Sequence, residues 1–169
     1  MKIEKNVLDA LNAQINREYY SAYLYLSMTF YAHGIGLPGF ANWLNLQKME
    51  ECSHAETLIK HVLERGGKIQ LDAIEIPPDD WESIVTLFES VLEHERSMTA
   101  AIHNLATLAT VQKDFPVQSL MKWFIDEQVE EEAAVEGILS QLNYAKENTS
   151  AIFMMDREMA QRTQFEIKG

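Results

Sequence analysis

The sequence predicts an all-α protein: an antiparallel four-helix bundle with a long crossover between the second and third helices and a short fifth helix at the C-terminus. Glycine and proline fall almost entirely in short clusters, and the stretches between the clusters are about 25–30 residues long, well above the ~11–12 residues of an average helix. Within these stretches apolar residues recur at alternating spacings of three and four, which is typical of helices packed in a bundle. Hydrophobic residues make up 47% of the 169 residues, enough for a full core.

The junctions between the predicted helices lie at the glycine and proline clusters, at 34–39, 66–67, 77–78 and 116. Pro38 and Pro116 stand where helix-opening prolines stand. We predict that the third helix opens at Trp81, with Asp79 as its N-cap and Glu82 as the capping-box partner. Short links pair neighbouring helices antiparallel, whereas a link of about 13 residues after the second helix can carry the chain along the bundle.

Each of the four long helices has one stripe of residues predicted to face the core, and each stripe contains polar residues at a similar depth. The stripes are Leu11, Ile15, Glu18, Ala22, Tyr25 and Thr29; Phe40, Leu44, Gln47, Glu51, His54, Leu58 and His61; Ile84, Phe88, Val91, Glu95, Met98, Ile102 and Leu105; and Val117, Met121, Phe124, Gln128, Glu131, Val135, Ile138 and Leu142. His61, two turns after His54, is predicted to be a core histidine and not a ligand.

The polar members of these stripes repeat between the two halves of the chain. Each half supplies one Glu from its first helix and an i, i+3 pair from its second, so that both members of a pair lie on one helix face. The two sets are 77 residues apart: Glu18, Glu51 and His54, then Glu95, Gln128 and Glu131. The shared spacing predicts that all six groups lie near one level of one core.

Four glutamates in a bundle core need an explanation. A buried unpaired charge costs several kcal/mol, which is large against a domain stability of about 5–15 kcal/mol. The four groups either stay protonated in a metal-free polar network or bind two divalent cations that neutralise them. Carboxylates with one imidazole suit iron or manganese and also admit zinc. Glu51 is the natural bridging ligand of a two-metal site with ions ~3.5–4 Å apart.

Charge and cysteine content restrict the partners and the compartment. The formal net charge of -12 and the pI of about 4.8 argue against nucleic acid and are compatible with the attraction of cations. Cys52 is the single cysteine, so no internal disulfide is possible and a reducing, cytoplasmic location is expected. The N-terminus has no apolar secretion signal, and no stretch is apolar for long enough to span a membrane.

The sequence resembles the ferritin family, and within it the bacterial non-haem ferritins. The motifs that carry the resemblance extend over nearly the whole chain: Arg17-Glu18-Tyr19-Tyr20, Glu50-Glu51-Cys52-Ser53-His54, His94-Glu95 and Asp126-Glu127-Gln128-Val129-Glu130-Glu131-Glu132. The resemblance implies a single ferritin-like di-iron domain over residues 1–169. It also implies a ferroxidase that oxidises Fe(II) with O2 or H2O2 and stores Fe(III) as a ferric oxy-hydroxide mineral inside a hollow homo-oligomeric shell of 24 subunits.

The resemblance also assigns roles to individual residues of the di-iron centre. Glu18, Glu51 and His54 would bind the first iron. Glu51, Glu95 and Glu131 would bind the second, with Gln128 close by. Tyr25 matches a tyrosine beside the centre, where a hydrogen-bonding or redox role competes with ordinary core packing.

A third iron site is implied at Glu50, Glu127 and Glu130, for which a solvated acidic helix face is the alternative explanation. Trp123, one turn before Glu127, matches a nearby aromatic residue. Haem is not expected, because bacterioferritins have a haem-ligating Met at the position of Cys52.

The apolar residues of the tail, between 150 and 161, predict the short fifth helix. A helix of this length is unstable alone and must dock on something. In ferritins of this type it packs near a fourfold axis of the shell. Two other functions remain possible: a di-iron oxidase or peroxidase that protects against oxidants without storing iron, and a structural bundle that binds no metal.

Overall fold

The computed structural model describes residues 2–146 and 148–163, and it confirms the all-α prediction. The helices are α1 (Lys5–Gly34), α2 (Pro38–Glu64), α3 (Ile84–Val111), α4 (Phe115–Ala145) and α5 (Thr149–Met159). No strand occurs within the described ranges. None of the helices in that part of the chain is long and apolar enough to cross a membrane.

The crossover, residues 65–83, runs along the side of α1 and fixes the direction of α3. Polar side chains of α1 hold its backbone at four successive levels, roughly 30 Å from first to last at the α-helical rise. In chain order the contacts join Asn12 with Lys68 and Gln70, Asn16 with Gln70 and Asp72, Ser27 with Pro78, and Tyr31 with Trp81. The chain therefore returns to the end where α2 began, and α3 runs parallel to α2. Two antiparallel hairpins result, α1 with α2 and α3 with α4.

The predicted helix starts are correct at two junctions and wrong at the third. Proline occupies the first turn of both α2 and α4, as expected. The third helix begins after Ser83 and not at Trp81. Ser83 Oγ accepts a hydrogen bond from the Thr86 N–H, and Thr86 Oγ1 accepts one from the Ser83 N–H. This reciprocal capping box satisfies two backbone donors and takes the place of the one predicted from Asp79 and Glu82.

A layer of polar side chains divides the core into two apolar clusters. One cluster surrounds Phe40 and Phe88, and the other surrounds Leu58 and Phe124. Every residue of the four predicted stripes is buried except His61, which is half-buried and hydrogen-bonds to Arg65. The buried polar groups between the clusters are Gln14, Glu18, Ser21, Gln47, Glu51, His54, Glu95, Gln128 and Glu131.

The fifth helix docks on the start of α2. The buried Asp156 carboxylate accepts hydrogen bonds from the backbone N–H groups of Gly39, at 2.8 Å, and Phe40, at 3.0 Å. These are among the donors that the first turn of a helix leaves unpaired, so a residue of α5 acts as a cap for α2. The Asn42 side chain also donates to the backbone carbonyls of Met159 and Arg162. Docking of the tail was expected, whereas its partner was not identifiable from the sequence.

Gly39 permits this close approach of α5, and its replacement tests the docking. A Cβ atom at Gly39 would lie 1.6 Å from the Asp156 carbonyl oxygen. Gly39→Ala should therefore displace α5, remove the Asp156 cap and destabilise the protein by about 0.5–2 kcal/mol, the usual effect of losing a cap. Thermal unfolding of the purified protein measures the change.

The matched control is Gly137→Ala, inside α4, where a Cβ would meet nothing within 4 Å. That change should stabilise by up to about 1 kcal/mol through helix propensity alone. Equal effects of the two substitutions would contradict a tight fit between α5 and α2.

Candidate metal centre

The polar layer contains one compact group of potential metal ligands within the described ranges. One ligand atom each from Glu18, Glu51 and His54 lies within 4.8 Å of the others. His54 Nδ1 is 3.9 Å from Glu18 Oε2 and 3.9 Å from Glu51 Oε2. Two carboxylates and an imidazole converging at this distance can bind a single divalent cation between them. The i, i+3 spacing of Glu51 and His54 brings both onto the inner face of α2, opposite Glu18 on α1.

His54 is held as a neutral imidazole. Burial lowers the pKa of its imidazole to about 4, so the ring carries no charge near pH 7. Trp123 packs against the ring edge-on, with centroids 5.5 Å apart, and Phe124 does so at 5.7 Å. A neutral ring keeps a lone pair for a metal, and the aromatic walls limit its rotation.

Glu18 and Glu51 are buried members of the compact group, and each carboxyl group affects the pKa of the other. Burial raises the pKa of Glu18 from 4.5 to about 7. Burial also raises the pKa of Glu51 well above its ordinary value, and the negative charges of Glu95 and Glu18 add to the effect. Protons therefore neutralise this pair without a metal, and a divalent cation can take their place.

Glu95 is bound by neutral donors from two helices. Tyr25 Oη donates to Glu95 Oε1 at 2.5 Å, and Gln128 Nε2 donates to Glu95 Oε2 at 3.3 Å. Burial, followed by the charges of Glu95 and Glu131, raises the pKa of Tyr25 well above its ordinary value. Tyr25 is thus a neutral phenol that directs its proton at a predicted ligand.

Two buried glutamines orient carboxyl groups of the layer, and the sequence analysis did not assign either of them to the site. Gln14 Nε2 donates to Glu18 Oε1 at 2.8 Å, and Gln47 Nε2 donates to Glu131 Oε2 at 2.7 Å. The Oε1 atom of each amide is buried without a protein partner. The available signal was spacing, because Gln14 and Gln47 stand four residues before Glu18 and Glu51 on the same helix faces.

Glu131 lies in the layer but outside the compact group. Burial raises its pKa well above the ordinary value, with further contributions from the charges of Glu95 and Glu50. Glu131 accepts a hydrogen bond from Gln47, and Glu95 accepts hydrogen bonds from Tyr25 and Gln128. Neither Glu95 nor Glu131 belongs to the compact group, so the ligands predicted for the second iron are less closely spaced than those predicted for the first.

The three residues predicted to form a third iron site lie at the edge of the layer. Glu50 and Glu127 are half-buried and Glu130 is exposed. Burial raises the pKa of both Glu50 and Glu127, and the charge of Glu130 raises each of them further, so the three groups are close enough to interact. Arg162 Nη2, from the tail, lies 3.2 Å from Glu50 Oε2, a contact that no pattern in the sequence predicts.

The architecture defines the class of protein. A four-helix bundle with one long crossover, an inward-facing Glu from each helix and a Glu-x-x-His pair is typical of carboxylate metal proteins of the ferritin-like type. The family model of the ferritin-like domain matches residues 8–145. The chain belongs to the ferritin family.

Individual relatives agree with this assignment over nearly the whole length. The chain is 37% identical over 160 residues to a bacterial non-heme ferritin of Bacteroides fragilis strain 638R, covering 95% of this chain and 99% of that protein. A bacterial non-heme ferritin of Staphylococcus aureus strain MRSA252 is 34% identical over 161 residues, covering 95% and 97%.

Solved structures agree with the same assignment. The open pore ferritin of the archaeon Archaeoglobus fulgidus is 44% identical, with a TM-score of 0.94 and coverage of 95% of this chain and 98% of that one. An engineered closed form of that ferritin is 43% identical, with a TM-score of 0.96 and coverage of 97% and 100%. Family membership supports iron binding and iron storage as the general role of this chain.

The raised pKa of Glu18 makes the stability of the metal-free protein depend on pH. Its contribution is fully present below pH 4.5, where the carboxyl is neutral in both folded and unfolded chains, and is lost as the pH rises through about 7. Glu18→Gln is neutral at every pH. The variant should therefore gain stability relative to the wild type between pH 4.5 and 7, by up to about 3 kcal/mol.

Unfolding of both proteins in the presence of a chelator, at several pH values, measures this difference. The lowered pKa of His54 makes stability rise with pH, in the opposite direction to the effect of Glu18. Both proteins contain His54, so its effect cancels in the difference between them. Glu89→Gln, on the exposed side of α3, is the matched control. A constant difference between Glu18→Gln and wild type would show that Glu18 is ionised in the folded protein throughout this range.

Proposed function

We propose that this chain is an iron-storage protein with ferroxidase activity. It binds Fe(II) at a di-iron centre within one subunit, oxidises it with O2 or H2O2, and stores Fe(III) as a ferric oxy-hydroxide mineral inside a hollow shell. The observation that carries the proposal is the compact group of Glu18, Glu51 and His54 in the polar layer. Membership of the ferritin family supports the same conclusion.

In this proposal iron is the substrate, and the protein supplies ligands, charge and a dry pocket. Glu18, Glu51 and His54 bind the first iron, and Glu51 bridges to the second, which Glu95 and Glu131 bind with Gln128 nearby. Two Fe(II) ions give one electron each to the oxidant. With two protons, O2 becomes H2O2, or H2O2 becomes two water molecules.

The side chains around the centre have supporting roles. Tyr25 donates a hydrogen bond to Glu95 and keeps that carboxylate oriented towards the layer. The apolar clusters on both sides of the layer admit only small oxidants to the centre. The protons held by Glu18 and Glu51 leave when the two irons bind, so binding should release acid.

The third iron and the shell complete the proposal. Glu50, Glu127 and Glu130 bind a third iron near the di-iron centre. The chain forms a single ferritin-like di-iron domain over residues 1–169 and assembles into a homo-oligomer of 24 subunits in the cytoplasm, without haem. Large exposed apolar side chains, such as Phe30, Ile76 and Met154, support self-association. The Archaeoglobus fulgidus relatives include an open pore ferritin and an engineered closed form, so the openness of the shell is a separate property to measure.

Aerobic loading with Fe(II), followed by sizing and iron counting on the purified particle, tests the whole proposal. An iron-rich particle much larger than one subunit is expected. Rapid oxidation without retained iron would instead identify a di-iron oxidase or peroxidase. No change in absorbance on aeration would indicate a structural bundle that binds no metal.

Removal of the histidine ligand should slow the fast phase of oxidation. His54→Ala should reduce the initial rate by at least about tenfold, a loss that even residues supporting a metal ligand can cause. His103→Ala removes an exposed histidine of α3 and is the matched control. Stopped-flow absorbance of Fe(II) mixed with aerated buffer measures both rates. Wild-type kinetics in His54→Ala would refute the assigned centre.

The third iron site is tested separately. Glu130→Ala should leave the first two iron equivalents bound and abolish the third, because its carboxylate does not belong to the compact group. Anaerobic titration with Fe(II) counts the equivalents per subunit. Glu136→Ala, which removes an exposed α4 carboxylate paired with Arg96, should bind as the wild type does. Identical titrations of the two variants would remove the support for a third site.

A further inference from the structure

The tail of the chain brings a positive charge to the acidic edge of the polar layer. Arg162 Nη2 lies 3.2 Å from Glu50 Oε2, and most of both side chains is buried. Glu50 and Arg162 are 112 residues apart in sequence, so only the docking of the tail brings them together. A partly buried ion pair of this kind is held more firmly than a surface pair, because less water competes for either group.

Several contacts fix the position of the arginine independently of Glu50. Its guanidinium lies 4.9 Å from the centroid of the Trp43 ring, a cation–π contact. The Asn42 side chain donates to the backbone carbonyls of Met159 and Arg162 at 3.2 and 3.1 Å. The buried Asp156 cap anchors α5 one turn before Met159. The guanidinium is thus held in one position by the fold and is not a freely moving surface charge.

The charge of Arg162 acts on two members of the acidic region. Burial raises the pKa of Glu50, and the charge of Arg162 opposes that rise. The charge of Arg162 opposes the rise in the pKa of Glu131 in the same way. These two glutamates belong to the third and the second proposed iron positions respectively. Arg162 therefore pairs directly with Glu50 and offsets part of the negative charge of this region.

We propose that Arg162 is an internal counter-ion that competes with iron for Glu50, so that filling of the third iron position displaces the guanidinium and loosens the tail from α2. The inference rests on the proposed function, and specifically on a third site that includes Glu50. A Glu50 oxygen that ligates a divalent cation gives up its close contact with the guanidinium, since two cations repel each other at that separation. Loading of the third position and docking of residues 159–163 are thereby linked.

Removal of the guanidinium should strengthen the third site. Zn(II) is a redox-inert divalent probe that carboxylates and histidine bind. In calorimetric titration of the assembled protein with Zn(II), Arg162→Gln should bind the third equivalent about fivefold more tightly than wild type, as the loss of one competing ion pair implies. Arg162→Lys, which keeps the charge, should stay near wild type. Arg157→Gln removes an exposed positive charge from the same tail and is the matched control.

A second measurement follows the tail directly. Hydrogen exchange of the C-terminal peptide, read by mass spectrometry, should rise in the wild type when the third equivalent of Zn(II) binds, and not with the first two. In Arg162→Gln the exchange should be faster than in the metal-free wild type and should change little on loading, while the Asn42 and Asp156 contacts keep α5 itself docked. These readouts do not depend on iron oxidation.

The possible results distinguish failure of the counter-ion role from failure of the proposed third iron site. A third equivalent that Glu130→Ala abolishes, but that binds equally in Arg162→Gln and Arg157→Gln, overturns the counter-ion role and leaves the third site intact. Unchanged exchange of the tail on loading also overturns it. If the wild type and all variants bind only two equivalents of Zn(II), both the third site and the counter-ion role are refuted.

Discussion

Burial of four carboxyl groups in one layer is the constraint on which the rest of this structure depends. The layer separates two apolar clusters, and burial is the leading cause of the raised pKa of Glu18, Glu51, Glu95 and Glu131. A bundle selected for stability alone would fill these positions with apolar side chains, because buried ionic groups commonly cost more than they return. Protons can neutralise the layer, and divalent cations can replace the protons. The cost of the layer in the metal-free protein is therefore a driving force for metal uptake.

The two hairpins contribute unequally to the layer, and this makes the two proposed iron positions different. The first hairpin supplies the compact group of Glu18, Glu51 and His54, whose imidazole is neutral and enclosed by Trp123 and Phe124. The second hairpin supplies glutamates and a glutamine without a histidine, and neighbouring donors bind their carboxyl groups. The proposed first position therefore has a histidine and closely spaced ligands, whereas the proposed second position depends on carboxyl groups without a histidine.

Periodicity made most of the fold and the layer predictable, because a helix that is buried on one side must repeat its apolar residues. The stripes located the polar residues, and the ferritin resemblance supplied their roles. The features that the sequence did not reveal have two origins: local patterns that compete with one another, and tertiary contacts. The start of α3 was misplaced because Ser83 with Thr86 and Asp79 with Glu82 have the same three-residue spacing, and spacing alone cannot rank them. The contacts of Asp156 and Arg162 with α2 join residues more than 100 positions apart, so no local pattern could indicate them.

The edge-on contact between Trp123 and His54 gives this protein an intrinsic optical label. An indole 5.5 Å from a ligand ring lies within reach of the electronic states of any paramagnetic ion that the ring binds, and such ions quench indole emission efficiently. Of the chain's other two tryptophans, Trp81 is at the end of the crossover, and Trp43 packs against Phe88 and lies under the guanidinium of Arg162, close to the proposed third iron position. In a variant in which phenylalanine replaces Trp43, a fall in ultraviolet emission on loading would therefore report an ion at the proposed His54 position, in the intact particle and without an attached dye.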